Sequence, residues 1–89
     1  MSLSGSLDLQ VDPSVLKTLK RIPRRDAMAL LAVIKLLPTA PYFGDVKKMK
    51  GEDDVWRRRV GAYRIFYKIK NIKRILLVFR IERRTSHTY

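Results

Sequence analysis

Arg57 and Arg59 stand two residues apart in a segment rich in β-branched and aromatic residues, so on a strand they project from one side. Arg64 follows a Gly61-Ala62 turn, and Arg83 and Arg84 close a later strand-like run. Arginines placed in this way can converge on a backbone phosphate. The planar guanidinium donates paired hydrogen bonds to it and keeps its charge at any physiological pH. The run from Glu82 to Tyr89 adds two titratable rings, His87 and Tyr89. Such a set suits cutting RNA by attack of its own 2′-hydroxyl on the adjacent phosphate. That reaction needs a base for the hydroxyl, cations for the developing phosphorane charge and a donor to the leaving oxygen. Tyr89 serves as base if neighbouring arginines favour its phenolate. His87 is the one side chain here that ordinarily titrates near neutrality. The plainer alternative is a rim of surface arginines paired with Glu52, Asp53, Asp54 and Glu82, but four acids cannot neutralise so many bases.

Other chemistries find little support. With no Cys and one His, the chain has no thiolate nucleophile, disulfide framework or zinc cluster. Asp53 and Asp54 are adjacent and would face apart on a strand, so they do not form a two-metal site. Gly51 is isolated, and there is no glycine-rich phosphate loop. No metal and no cofactor is expected. No apolar run reaches the ~18 residues of a membrane span, no signal peptide opens the chain, and the absence of Cys fits a cytoplasmic protein.

The chain has 89 residues and a formal charge of +12, enough for one small domain whose partner is polyanionic. Residues 1–44 carry six basic and three acidic side chains; residues 45–89 carry fourteen and five. The second half therefore holds most of the field, as a phosphate-binding surface requires.

The elements that must position these side chains follow from periodicity. Residues 1–6 are small and polar, and read as a disordered end or a cloning scar outside a single domain spanning 7–89. Leu7 to Val11 alternates as a short strand. Asp12-Pro13 caps a helix with Val15, Leu16, Leu19 and Ile22 on one stripe. Pro23 interrupts it. A second helix runs from Arg24 to Leu37 with Ala27, Leu30, Leu31, Ile34 and Leu37 on its buried face. Three strands follow, at Val55–Val60, Ala62–Ile69 and Lys73–Ile81. In the last, Ile75, Leu77, Phe79 and Ile81 are expected on one face and Leu76, Val78 and Arg80 on the other; apolar residues on both faces place it inside the sheet. The expected fold is two-layer α+β: an N-terminal strand and an antiparallel helical hairpin packed on one face of a small, mainly antiparallel sheet. Trp56 reads as mainly structural.

The segment Lys47-Lys48-Met49-Lys50-Gly51, then Val55-Trp56-Arg57-Arg58-Arg59-Val60-Gly61-Ala62-Tyr63-Arg64-Ile65-Phe66-Tyr67, resembles the core of the RelE/ParE toxin superfamily of toxin–antitoxin systems. The basic run closing on Tyr89 resembles the RelE branch. The resemblance implies the fold above and a toxin that enters the ribosomal A site and cleaves mRNA there. It implies Arg64 and Arg83 as catalytic arginines, with Arg84 able to take the place of Arg83, and Tyr89 or His87 as base. It implies RNA binding by Lys47, Lys50, Arg57 and Arg59. It further implies a cognate antitoxin, a monomer when alone and a larger assembly with that partner. A ParE-like inhibitor of DNA gyrase and a non-catalytic nucleic-acid-binding domain are the competing readings. The basic-plus-tyrosine terminus separates the first of these from the RelE branch.

Overall fold

The computed structural model describes residues 6–84. Strand β1 (Asp8–Val11) leads into α1 (Pro13–Arg21) and α2 (Arg24–Leu36), followed by β2 (Val46–Lys48), β3 (Val55–Val60), β4 (Tyr63–Lys70) and β5 (Ile75–Arg83). The strands form one sheet in the order β1-β5-β4-β3-β2. Among the described residues only β1 and β5 pair in parallel; the other three pairings are antiparallel. The strand at Val55–Val60 falls where its composition places it, and β5 is internal, as its two apolar faces require. Strand β2 is a fifth strand that the sequence pattern does not announce.

Local chemistry sets the helix ends. The Asp12 carboxylate accepts a hydrogen bond from the Ser14 amide at 2.9 Å, and Pro13 occupies the first turn, where its missing N–H costs nothing. This charge-assisted contact holds the Asp12 carboxyl below its ordinary pKa. Pro23 forces Ile22 into extended backbone (φ −95°, ψ 164°), ending α1 and turning the chain into α2. Both helices then lie on one face of the sheet. Val15 and Leu19 from α1 and Leu30, Ile34 and Leu37 from α2 and its end pack against the inner faces of β4 and β5. Leu16, expected on the α1 stripe, is instead 48% exposed; only Val15 and Leu19 of that short helix are buried.

The second correction concerns β5. Phe66 lies opposite Arg80 and Tyr67 opposite Val78, so Phe79 has no partner and forms a one-residue bulge. The bulge resets the alternation. Leu76, Val78 and Ile81 face the helices, and Arg80 joins Phe66 on the open side. A regular strand would have put Ile81 with Leu77, as the alternation suggests.

Two buried tyrosines lock the layers together. The Tyr63 hydroxyl donates to the Asp26 carboxylate of α2 at 2.8 Å, and Tyr67 donates to the Pro41 carbonyl. The bond to Asp26, and burial after it, raises the Tyr63 pKa; burial pushes Tyr67 up to about 12. An unfolded tyrosine releases its proton near pH ~10. Above that pH the unfolded chain holds fewer protons than the folded one, so stability falls as pH rises towards 12. The urea midpoint is therefore expected to drop between pH 9 and 11.5 in the parent, and to drop less in Tyr67→Phe. An equal drop in both would show that Tyr67 does not carry the effect.

Candidate nucleic-acid interface

The helices cover one face of the sheet, so the other face is open to a ligand. The register decides which side chains it displays. Lys47 of β2 sits opposite Arg57 of β3, Arg57 opposite Phe66 of β4, and Arg59 opposite Arg64. Because Ile65 and Tyr67 point into the core, their neighbours Arg64 and Phe66 point out, and the cross-strand partners follow. Lys47, Arg57, Arg59 and Arg64 thus line one groove of about 450 Å³, closed by Asp45, Met49 and Phe66. The three arginines are half-buried rather than splayed into solvent. Their stems pack on the sheet and their charges are held at close quarters, which a bound anion relieves.

One acid, Asp45, lines the groove among the described residues, and sequence reasoning missed it. Asp45 lies 3.9 Å from Arg57 and 3.7 Å from Arg59, and its carbonyl accepts from the Arg59 amide at 2.9 Å. It precedes the short strand β2, whose three residues carry no alternation signal; Glu52, Asp53 and Asp54 make none of the ion pairs among the described residues. Arg64 pairs with no carboxylate among those residues. Glu82 stands opposite it in the ladder but is engaged by Arg80. The Nε atoms of Arg59 and Arg64 are buried and have no acceptor among the described residues.

The remaining candidates divide. Arg58, between the two groove arginines, points to the helix side. It donates to the Phe43 carbonyl at 2.7 Å and lies 5.7 Å from that ring's centre. Gly44 makes this possible: it has φ +87°, and a Cβ there would meet the Arg58 guanidinium at 2.5 Å. Trp56 packs on the core and meets Tyr42 ring to ring at 4.8 Å, tilted by 58°, a structural role as expected. Lys50 is not part of the groove; it lines a separate hollow in the β2–β3 loop with Lys48 and Gly51. Arg83 sits opposite Tyr63, on the helix side of the sheet, 5.9 Å from that ring's centre. The structure therefore does not gather it with Arg64. Arg84 is the next residue, and its amide donates to the Ala62 carbonyl beside the Arg64 turn. His87 and Tyr89 lie outside the described residues.

In chemical terms the groove can hold phosphates and stabilise extra negative charge at Arg64. Among the described residues no cluster of three His, Asp or Glu could hold a metal ion, and no helix is long and apolar enough to cross a membrane.

Known proteins share both sequence and fold. The family described as ParE toxin of type II toxin–antitoxin system matches residues 9–87. A Methanocaldococcus jannaschii protein carrying the toxin name RelE1 is 32% identical over 80 residues, covering 86% of this chain and 89% of its own length. The toxin in the Pyrococcus horikoshii RelE–RelB complex superposes with a TM-score of 0.79 at 22% identity, covering 92% of this chain and 99% of that one. The isolated Escherichia coli RelE toxin gives 0.78 at 17% identity, covering 92% and 88%. Family match, relative and element order agree, and the chain belongs to the RelE/ParE toxin superfamily of type II toxin–antitoxin systems.

Proposed function

We propose that this toxin is a ribosome-dependent endoribonuclease that cuts mRNA in the A site through the message's own 2′-hydroxyl. The observation that carries the reading is the groove, where Arg57, Arg59 and Lys47 surround an Arg64 that has no carboxylate partner among the described residues. In-line attack of the 2′-oxygen on the neighbouring phosphorus breaks its bond to the 5′-oxygen of the next nucleotide. The products are a 2′,3′-cyclic phosphate and a 5′-hydroxyl. A base takes the 2′-hydroxyl proton, and a proton is delivered to the leaving oxygen. Arg64 stabilises the phosphorane, with Arg84 or Arg83 as the second arginine. Tyr89 or His87 serves as base. Lys47, Arg57 and Arg59 hold the flanking phosphates, and Lys50 reaches RNA only beyond the groove. The mechanism requires no metal or cofactor. A site walled by RNA, in the cytoplasm, is where a small basic wedge would act.

Primer extension on messages from expressing cells tests the proposal. Codon-phased cuts inside translated regions are the expected result. Intact messages with accumulating gyrase–DNA breaks would overturn it in favour of the ParE-like reading, which the family name also covers.

Asp45 provides a finer test. Its two long contacts are those of a surface ion pair, worth about 0.2–1 kcal/mol each. Asp45→Asn frees Arg57 and Arg59 for phosphate. RNA-containing ribosomes should then bind up to about fivefold more tightly, with a steeper salt dependence. Unchanged or weaker binding would remove Asp45 as a competitor for the groove.

The solved P. horikoshii relative is held by a RelB chain. For this toxin the proposed restraint is likewise a cognate antitoxin, an acidic-to-amphipathic segment that folds on the basic and apolar surface. The helices expose Leu16, Met28 and Leu36, apolar residues such a segment would cover. The free toxin is proposed to be a monomer and the complex a larger assembly.

A further inference from the structure

Beside the groove, and sharing Met49, Arg64 and Phe66 with it, the open face holds a second concavity of about 350 Å³, which Phe79, Arg80, Glu52 and Glu82 complete. We infer that it is a nucleobase subsite, in which Phe66 and Phe79 stack the base adjoining the phosphate held by Arg64. The inference rests on the RNA-binding reading above and adds to it a place for a base.

The bulge builds the site. In a regular β5 the outward positions would alternate singly. Here the unpaired Phe79 and the following Arg80 both stand on the open side, against Phe66 on β4. The two rings lie 6.4 Å apart and are tilted by 50°. Arg80 lies over Phe66 at 5.7 Å and Lys68 over Phe79 at 5.4 Å. Each ring therefore already carries a planar or cationic group of the kind that a base replaces or stacks upon. Arg80 also engages Glu82, so that carboxylate does not repel an incoming phosphate. Phe66 is buried, 8% exposed, with Arg80 over its ring, and Phe79 is half-buried, so an entering base takes the place of the Arg80 guanidinium on Phe66. Continuity with Arg64 gives the hollow a purpose, since a chain whose phosphate sits on Arg64 can turn one base into it.

Binding to ribosomes tests this separately from cutting. The ribosomes are programmed with a message whose A-site codon is 2′-O-methylated, so cleavage cannot occur. An abasic residue at one codon position should weaken wild-type binding by about tenfold. Phe79→Leu keeps apolar packing but loses the stacking ring. It should bind the intact codon about as weakly as wild type binds the abasic one, with little further loss at the abasic position. Wild-type binding that ignores an abasic residue at every codon position would overturn the subsite alone. So would a Phe79→Leu variant as sensitive as wild type. Failure of the wild type to bind programmed ribosomes at all would overturn both this and the proposed function.

Discussion

Replacing Arg64 with Ala is expected to lower A-site cleavage by about 10²–10³-fold, the usual cost of removing one donor to a developing oxyanion. The loss should fall on the chemical step, because Lys47, Arg57 and Arg59 still hold the flanking phosphates. Single-turnover cutting on programmed ribosomes, set beside equilibrium binding, reads the two apart. Arg64 is half-buried on the open face and contributes nothing to the helix-side core. Its loss should therefore leave the melting temperature nearly unchanged. Arg64→Lys keeps the charge but loses the two-pronged donor, so its rate should fall between those of the parent and Ala. Wild-type cutting by the Ala variant would remove Arg64 from the reaction.

The largest expected effect on stability lies on the other face of the sheet. Leu30 is 1% exposed and packs from α2 onto β4. Leu30→Ala removes buried methyl groups and leaves a cavity, at a cost of about 2–5 kcal/mol. A domain of this size has only ~4–13 kcal/mol of total stability, taking 0.05–0.15 per residue. The melting temperature should fall by on the order of 10–30 °C. Toxicity should disappear with it, through loss of folded protein rather than of chemistry, and cooling should restore cutting. A variant that stays folded at the parent's midpoint yet is inactive would contradict this account.

Much of this architecture is written in local chemistry. Asp12-Pro13 and Pro23 mark helix boundaries, and the Leu30–Ile34–Leu37 spacing names the face of α2 that is buried. The two-residue separation of Arg57 and Arg59 fixes their shared side because β3 is regular. Legibility ends where the regularity does. The bulge at Phe79 has no signature in its neighbours, and it reverses the faces of every residue after it. As a result Arg83, which alternation from Ile75 assigns to the open side with Leu77, stands instead beside Tyr63 on the helix side. Strand β2 is too short to alternate. The acid that matters, Asp45, lies just ahead of it and is paired through tertiary placement, not through sequence proximity to the arginines.

The parallel pairing of β1 with β5 also governs the order in which the molecule can fold. Asp8 lies opposite Ile75 and Val11 opposite Val78, so the chain closes on itself across 67 positions. Until β5 arrives, β1 has no neighbour, the inner edge of β4 is bare, and α1 and α2 lack much of the surface they bury. Closing so long a loop is slow, and few native contacts offset its entropy before the strand docks. The β3–β4 hairpin already carries Arg57, Arg59 and Arg64, but a lone hairpin is at best marginally stable in water. A fragment stopping short of residue 75 would therefore have the groove's arginines without the frame that holds them, and would be harmless to its cell.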